Sequence, residues 1–195
     1  MSGIVQIGGV ALASHDSGTG KVSLDSGTAF PTGHVLQVLQ TINTELEEVT
    51  GNATANTYAD IPGMAITIVT TGSNKVLVTA NLHLGNADAG GAVWWRFGRE
   101  TDSGSVNDTF CIGTVPLTGQ SSATARENIR ATNATQMSSM TFLDSPGAGS
   151  HVYKTRWQAE SGGSSTGYLN RAGGVSEQPY FSSLVSTITV MEISV

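Results

Sequence analysis

Along most of this chain, hydrophobic and polar residues alternate with a period of two. That spacing sends successive side chains to opposite faces of a β-strand. Lys75 to Leu84 (KVLVTANLHL) is the clearest case, with Val76, Val78, Ala80, Leu82 and Leu84 on one face and Thr79, Asn81 and His83 on the other. Leu184 to Ile193 (LVSTITVMEI) repeats the pattern, setting Ile188, Val190 and Glu192 against Thr189, Met191 and Ile193. This run stops two residues before the last, so the chain is expected to end inside its fold, pinned by sheet pairing on both sides where most termini fray. Ala92 to Arg99 (AVWWRFGR) puts Val93, Trp95 and Phe97 on one face, Trp94 and Arg96 on the other. His34 to Thr41 carries apolar residues on both faces.

Further strands are expected at Met64–Thr70 after a Pro62–Gly63 turn, at Thr109–Val115, and near Gly167–Asn170. Met137–Leu143 and His151–Glu160 flank the turn Asp144-Ser145-Pro146-Gly147. Glu45–Val49 is the one plausible helical window, while Ser121–Thr135 suits a helical turn or a long exposed loop.

Eight or more short strands separated by Gly-rich turns predict an all-β body of two packed antiparallel sheets. Alternation alone does not separate a jelly roll from an immunoglobulin-like sandwich; strand count and total length favour the jelly roll. The sandwich is expected over residues 34–195. Residues 1–33 differ, being Gly- and Ser-rich with two short β-like pieces, Ile4–Ile7 and Lys21–Leu24, neither able to bury much alone. They are expected to form an extended N-terminal arm that orders against a partner or a sibling subunit. Pro31 and Gly33 punctuate the junction.

Composition narrows the function. Charged residues make up 12 % of the 195, roughly half the usual share, so Ser, Thr, Asn and Gly must supply solubility. The 9 Lys and Arg are outnumbered by 15 Asp and Glu, a net charge of −6 without clustered cations, which disfavours nucleic acid as a partner. Low-charge, Thr- and Gly-rich surfaces suit proteins packed against others, and secreted proteins. Cys111 is the single cysteine, so neither an internal disulfide nor a cysteine-based metal site is expected. Between Phe110 and Ile112 it reads as a small buried hydrophobe. No basic segment followed by a long apolar stretch marks a signal peptide, and no apolar run approaches membrane-spanning length. A cytosolic or virion protein fits.

Candidate chemistry is sparse. Glu45, Glu47 and Glu48 form the one acidic cluster, but near-consecutive ligands of a single type suit a solvated patch better than a cation site. His15, His34, His83 and His151 match no ligand spacing, although His83 repeated about a symmetry axis would offer one. The chain carries no nucleophile elbow, phosphate loop or dinucleotide fingerprint. Asp102, Asp108, Asp144, Glu160 and Glu177 show no glycosidase-like pairing. Neither catalysis nor a metal or other cofactor is expected.

The large aromatics of the middle strands, Trp94, Tyr153 and Trp157, are the candidate ligand or interface residues. Adjacent Trp94 and Trp95 must point to opposite faces, so with Trp95 in the core Trp94 needs another cover: the rim of the second sheet, a neighbouring subunit or a sugar ring. Trp157 shares its face with Tyr153 and Thr155, while Lys154 and Arg156 lie on the other.

Four segments together resemble a family: Phe30-Pro31-Thr32-Gly33-His34-Val35-Leu36-Gln37-Val38, Lys75-Val76-Leu77-Val78, Phe142-Leu143-Asp144-Ser145-Pro146, and Ser186-Thr187-Ile188-Thr189-Val190-Met191-Glu192-Ile193. They look like small structural proteins of tailed bacteriophages, marine and cyanobacterial ones especially, described as tail fibre or minor structural and decoration proteins. The family typically has FPAGHVxQV near the front and STITLMEI at the end. Here Thr32 stands for the usual Ala and Val190 for Leu, departures that leave the fold unthreatened.

The resemblance covers roughly residues 30–195. It implies a trimeric jelly roll without catalysis, in a virion assembled in the host cytoplasm. In a fibre, residues 1–33 would join a baseplate or other tail protein and distal loops would touch the host surface, a glycan included. In a head-decoration protein the arm would lie on the major capsid protein. A carbohydrate-binding module is a third alternative, expecting an exposed platform that includes Trp94 or Trp157 and no trimer.

Overall fold

A computed structural model describes residues 3–8, 10–24, 30–51, 57–101, 104–108, 111–112, 123–160, 165–173 and 184–195. The chain divides into two compact units, residues 1–34 and 35–195.

In the first unit, β1 (Gly3–Ile7), β2 (Val10–Asp16) and β3 (Lys21–Leu24) form an antiparallel meander in the order β1-β2-β3. The two short pieces expected from the sequence are joined by a third strand, β2, whose Ala-Leu-Ala-Ser run carries little β-propensity. Asp16 builds the second turn. Its carboxylate accepts from Gly18 N and Thr19 Oγ1, each at 2.8 Å, and its carbonyl accepts from Gly20 N at 2.8 Å. The Gly18 amide holds the Asp16 carboxyl below the usual range.

The second unit is an all-β antiparallel sandwich of jelly-roll type. Its first sheet contains β4 (Val35–Asn43), β5 (Glu47–Thr50), β7 (Lys75–Asn86), β11 (Gln136–Asp144), β13 (Thr166–Leu169) and β14 (Ser186–Ile193). The second contains β6 (Ala59–Thr70), β8 (Ala92–Thr101), β9 (Val106–Asn107), β10 (Ala125–Asn128) and β12 (Gly149–Ala159). Pairing nests outside in: β4 pairs with β14, β6 with β12, β7 with β11 and β8 with β10. This is a long hairpin rolled over so that its two arms pair along their length. β14 lies between β4 and β7, as its two-sided alternation predicts.

The core follows the period-two pattern. Val76, Val78, Ala80, Leu82 and Leu84 of β7 are fully buried, flanked in their own sheet by Ile188 and Val190 of β14 and sharing the core with Val93, Trp95 and Phe97 of the second sheet. Burying a side chain of this size contributes about 1.5–3 kcal/mol. Trp95 packs edge-on against Phe97, with centroids 5.3 Å apart, and its Nε1 donates to Ser138 Oγ at 2.8 Å.

Three local expectations are revised. Pro62–Gly63 is not a turn ahead of a strand but lies within β6, where pairing with β12 shifts register and Gly63 takes a φ of 68°. Proline is tolerated there because β6 lies at a sheet edge. The helical window at Glu45–Val49 is instead strand β5, held by β13. In Ser121–Thr135 the described part contains strand β10. The strand expected at Thr109–Val115 lies outside the described residues apart from Cys111 and Ile112.

The β4 side of the sandwich is closed by side chains. Inward-facing residues of β4 reach the carbonyls of β6: Gln37 Nε2 donates to Val69 O at 2.7 Å, Thr41 Oγ1 to Ala65 O at 3.1 Å and Asn43 Nδ2 to Pro62 O at 2.7 Å. Polar residues therefore recur at inward positions of this apolar-looking strand because they satisfy an edge that has no strand neighbour there. At the Gln37 end of this flank, buried Glu192 accepts from Gln37 Nε2 (2.7 Å), Asn74 Nδ2 (2.8 Å) and Thr71 N (3.0 Å).

Candidate functional site

The aromatics singled out from the sequence separate sharply. Tyr153 and Trp157 are enclosed in the core, because odd-numbered residues of β12 face the first sheet. Neither presents a ring to a ligand or a neighbouring subunit, a correction to their reading as surface candidates. Tyr153 Oη donates to Asp144 Oδ2 at 2.7 Å, and Asp144 is also paired with Arg99. Burial, reinforced by this bond, drives the Tyr153 hydroxyl strongly upward in pKa. Trp94 is half-buried on the outer face of the second sheet, where Arg126 of β10, its direct cross-strand neighbour, sets its guanidinium 5.2 Å from the ring centroid.

That outer face carries a chain of ion pairs. Arg96 Nη2 meets Asp108 Oδ2 at 2.6 Å, and Arg156 bonds the same oxygen through Nη1. Arg156 Nε reaches Asp60 Oδ1 at 2.7 Å, and Lys154 Nζ bridges Asp60 Oδ2 (2.9 Å) and Glu100 Oε2 (2.7 Å). The Arg96 guanidinium stacks 3.9 Å above Tyr58, and Arg156 Nη2 donates to the Tyr58 carbonyl at 2.6 Å.

Arg96 is buried although it points away from the core, because Tyr58 and Asp108 are folded down over it, and Lys154 on the same face is buried between Asp60 and Glu100. Alternation predicts their face; their burial arises from segments distant in sequence. Burial opposes ionisation of Asp60, but the bonds from Lys154 and Arg156 outweigh it and hold the carboxyl below its usual range. For Lys154 the bonds to Glu100 and Asp60 outweigh burial and raise the ammonium. Burial pushes the Tyr58 phenol up to about 12. Each carboxylate here is neutralised by a cation, an arrangement suited to clamping loops rather than to moving protons.

The remaining candidates do not converge on a centre. Glu48 lies 3.6 Å from Arg171, whose guanidinium covers the Tyr168 ring at 4.0 Å. His83 Nδ1 lies 2.9 Å from Val185 O, and His151 is buried with Nε2 3.2 Å from Gly147 O. Cys111 is half-buried, and burial raises its thiol. Among the described residues no group of three or more His, Cys, Asp or Glu is placed to hold a metal ion. Nor, among them, is any helix long and apolar enough to cross a membrane.

A feature that sequence reasoning named only in part is the surface of the first unit. By register Val5, Ile7 and Val22 share one face of the meander with Ala13, and Ile4 stands on the other. Ile4, Val5, Ile7 and Val22 are each 59–70 % exposed. Apolar side chains left this open on one face, beside His15, gain by being covered.

No family model matches the chain, and no curated protein is similar to it. Solved structures are similar at low identity. An Eiger TNF from S. frugiperda aligns over 80 % of this chain and 93 % of its own, with 11 % identity and a TM-score of 0.40. A structure of infectious bursal disease virus, Gt strain, aligns over 90 % of this chain at 11 % identity and a TM-score of 0.46. This chain spans 42 % of that viral one. The enzymatically active domain of tailspike protein 4 of bacteriophage CBA120 aligns over 80 % of this chain and 19 % of its own, with 12 % identity and a TM-score of 0.26. Likeness at this level concerns the β-sandwich shape and says nothing of what the chain does.

Proposed function

We propose that this protein is a non-enzymatic structural component of a bacteriophage particle, a homotrimer held in place by residues 1–33, and a tail-fibre or fibre-attached part in preference to a head-decoration protein. The observation that carries the proposal is the exposed apolar face of the first unit, with Val5, Ile7 and Val22 open on a three-stranded sheet. Covering each of these side chains would contribute about 1–2 kcal/mol, a gain that a docking partner can supply. The resemblance of Phe30–Val38 and Ser186–Ile193 to tailed-phage structural proteins supports the particle as the place of docking, and fibre over head rests on that family's usual description alone. The carbohydrate-binding alternative loses one of its two platform residues with the burial of Trp157, and Arg126 already occupies one side of Trp94.

The test is incorporation. The full chain supplied during particle assembly should copurify with particles, and electron microscopy should place it on tail or head. A chain carrying I7D and V22D should stay soluble, melt at the parental temperature and be missing from particles. Normal incorporation of that variant refutes the docking role of residues 1–33.

A further inference from the structure

The central rows on the outward face of the first sheet, between Lys75 at one end and Glu48 with Arg171 at the other, carry no charge. Register lines up the side chains of this face in straight rows across β4, β14, β7 and β11: Val38–Met191–Leu77–Leu143, then Gln40–Thr189–Thr79–Thr141, then Ile42–Thr187–Asn81–Ser139. His83–Met137 follows on the last two strands. None of these residues is Asp, Glu, Lys or Arg. Val38 is 54 % exposed, Ile42 58 %, Met137 60 % and Leu143 45 %. On the opposite sheet the outer face carries Arg96, Glu100, Lys154, Arg156 and Asp60.

The polar members of the rows are bonded sideways to one another. Gln40 Nε2 donates to Thr189 Oγ1 at 2.9 Å, and the hydroxyls of Thr79 and Thr141 lie 2.9 Å apart. Asn81 Nδ2 donates to Thr187 Oγ1 at 3.3 Å while Ser139 Oγ donates to Asn81 Oδ1 at 2.6 Å. A face whose polar groups are satisfied within their own sheet gives up little hydrogen bonding when water leaves, and its apolar rows then gain.

We infer that this face is where copies of the chain meet. Each copy carries a net charge of −6, so two copies approach most easily where neither presents a charge, and these rows are such a place. Because the ladder already pairs many of its side chains within the sheet, it asks little complementary chemistry of a partner. The rows have an appreciable size: strands ~4.8 Å apart and a rise of ~3.3 Å per residue give a patch of roughly 19 by 17 Å, extended by ~7 Å on β7 and β11. That is about 380 Å² in projection, so residues flanking the rows must contribute the rest of the ~800 Å² per subunit of a stable interface. The inference deepens the assembly reading above but uses a different part of the molecule, so either can fail alone.

Light scattering coupled to size exclusion, on the full chain at micromolar concentration, tests it. The parent should run as an oligomer of the 20.1 kDa chain, at twice its mass where the faces pair about a two-fold axis and at three times its mass where they close a ring, and either result supports the inference. Thr189→Lys and Thr141→Lys should each run at single-chain mass where the parent is fully assembled, with unchanged far-UV circular dichroism. Val69→Lys, at an exposed site on β6 of the second sheet, should stay assembled. If Thr189→Lys fails to fold, the exposed Thr141 position decides alone. A monomeric parent overturns the inference, as does full assembly of Thr141→Lys. Retained assembly in the I7D/V22D chain supports the sheet face even if that chain is absent from particles. Loss of assembly in I7D/V22D while Thr141→Lys stays assembled would put the contact in the first unit instead.

Discussion

Glu192 is a carboxylate with no cation among its bonded partners, surrounded by neutral donors, and its replacement by glutamine tests how the β4 flank is held. Gln37 Nε2 donates both to Glu192 Oε2 and to Val69 O, while Asn74 Nδ2 and Thr71 N donate to Glu192 Oε1. In Glu192→Gln one oxygen becomes an NH2 group. If the new amide keeps its oxygen toward Thr71 and Asn74, its NH2 faces the Gln37 donor. Flipping Gln37 to accept it would turn the Gln37 oxygen against Val69 O. At least one pair, the part-buried Gln37–Glu192 contact or the exposed Gln37–Val69 contact, is left mismatched in either arrangement, and bonds to a charged acceptor are lost, so the expected cost is about 2–3 kcal/mol. For a chain of this length that is a fall in Tm of about 4–12 °C.

The pH dependence adds a second reading of the same substitution. Burial opposes ionisation of Glu192, but bonds from Asn74, Thr71 and Gln37 prevail and place its folded pKa below the ordinary 4.5. A depressed carboxyl contributes stability that is full above 4.5 and lost as pH falls through the folded value. Urea denaturation of both proteins, at matched protein concentration from pH 7 to 3, should show a gap that is widest at neutral pH and narrows below 4.5. Equal midpoints at pH 7, or a gap that stays constant into acid, would refute the reasoning.

The other expectations can be checked by the same denaturation assay. Trp157→Ala empties a fully enclosed site and should cost about 3–5 kcal/mol, whereas Trp94→Ala, half-buried under Arg126, should cost less than about 1.5 kcal/mol; similar costs would contradict the assigned faces. Asn170 takes a φ of 62° and its Nδ2 donates to the carbonyls of Asn43 and Glu45, each at 2.9 Å, so Asn170→Ala should cost about 2–4 kcal/mol, and a neutral result would remove it as the tie between strands. The Tyr58 hydroxyl is buried without a bonded partner among the described residues, so Tyr58→Phe should change stability at pH 7 by less than about 1 kcal/mol. With its folded pKa near 12 against 10.0 unfolded, the parent should lose stability as pH rises from 10 to 12, a loss the Phe variant lacks.

Much of the body was legible because its strands obey one rule on both faces. β7 and β14 bury the residues that alternation assigns them, Glu192 included. Where legibility failed, the deciding contacts join segments far apart in the chain. Arg96 and Lys154 occupy outward positions yet are buried, Arg96 under Tyr58 and Asp108 and Lys154 between Asp60 and Glu100, and no local pattern announces such a cover. Tyr153 and Trp157 looked like surface candidates because large aromatics serve interfaces and cores alike. The face opposite Lys154 and Arg156 proved to be the inner one. Pro62-Gly63 has the composition of a turn and sits inside an edge strand, since a missing N–H is harmful only where a neighbouring strand needs it. The rows of the first sheet's outer face depend on register, which single-strand patterns do not contain.

The outside-in nesting of strands has a consequence for synthesis on the ribosome. β4 is made early, and the neighbour that joins it to β7 is β14, more than a hundred residues downstream. Until Ser186 onward has emerged from the exit tunnel, β4 has no partner in the first sheet and β7 keeps a bare edge where β14 will sit. A nascent chain of this protein therefore holds its zip open until β14 is out, and products stalled before that point are the ones a cell's quality control should find sticky.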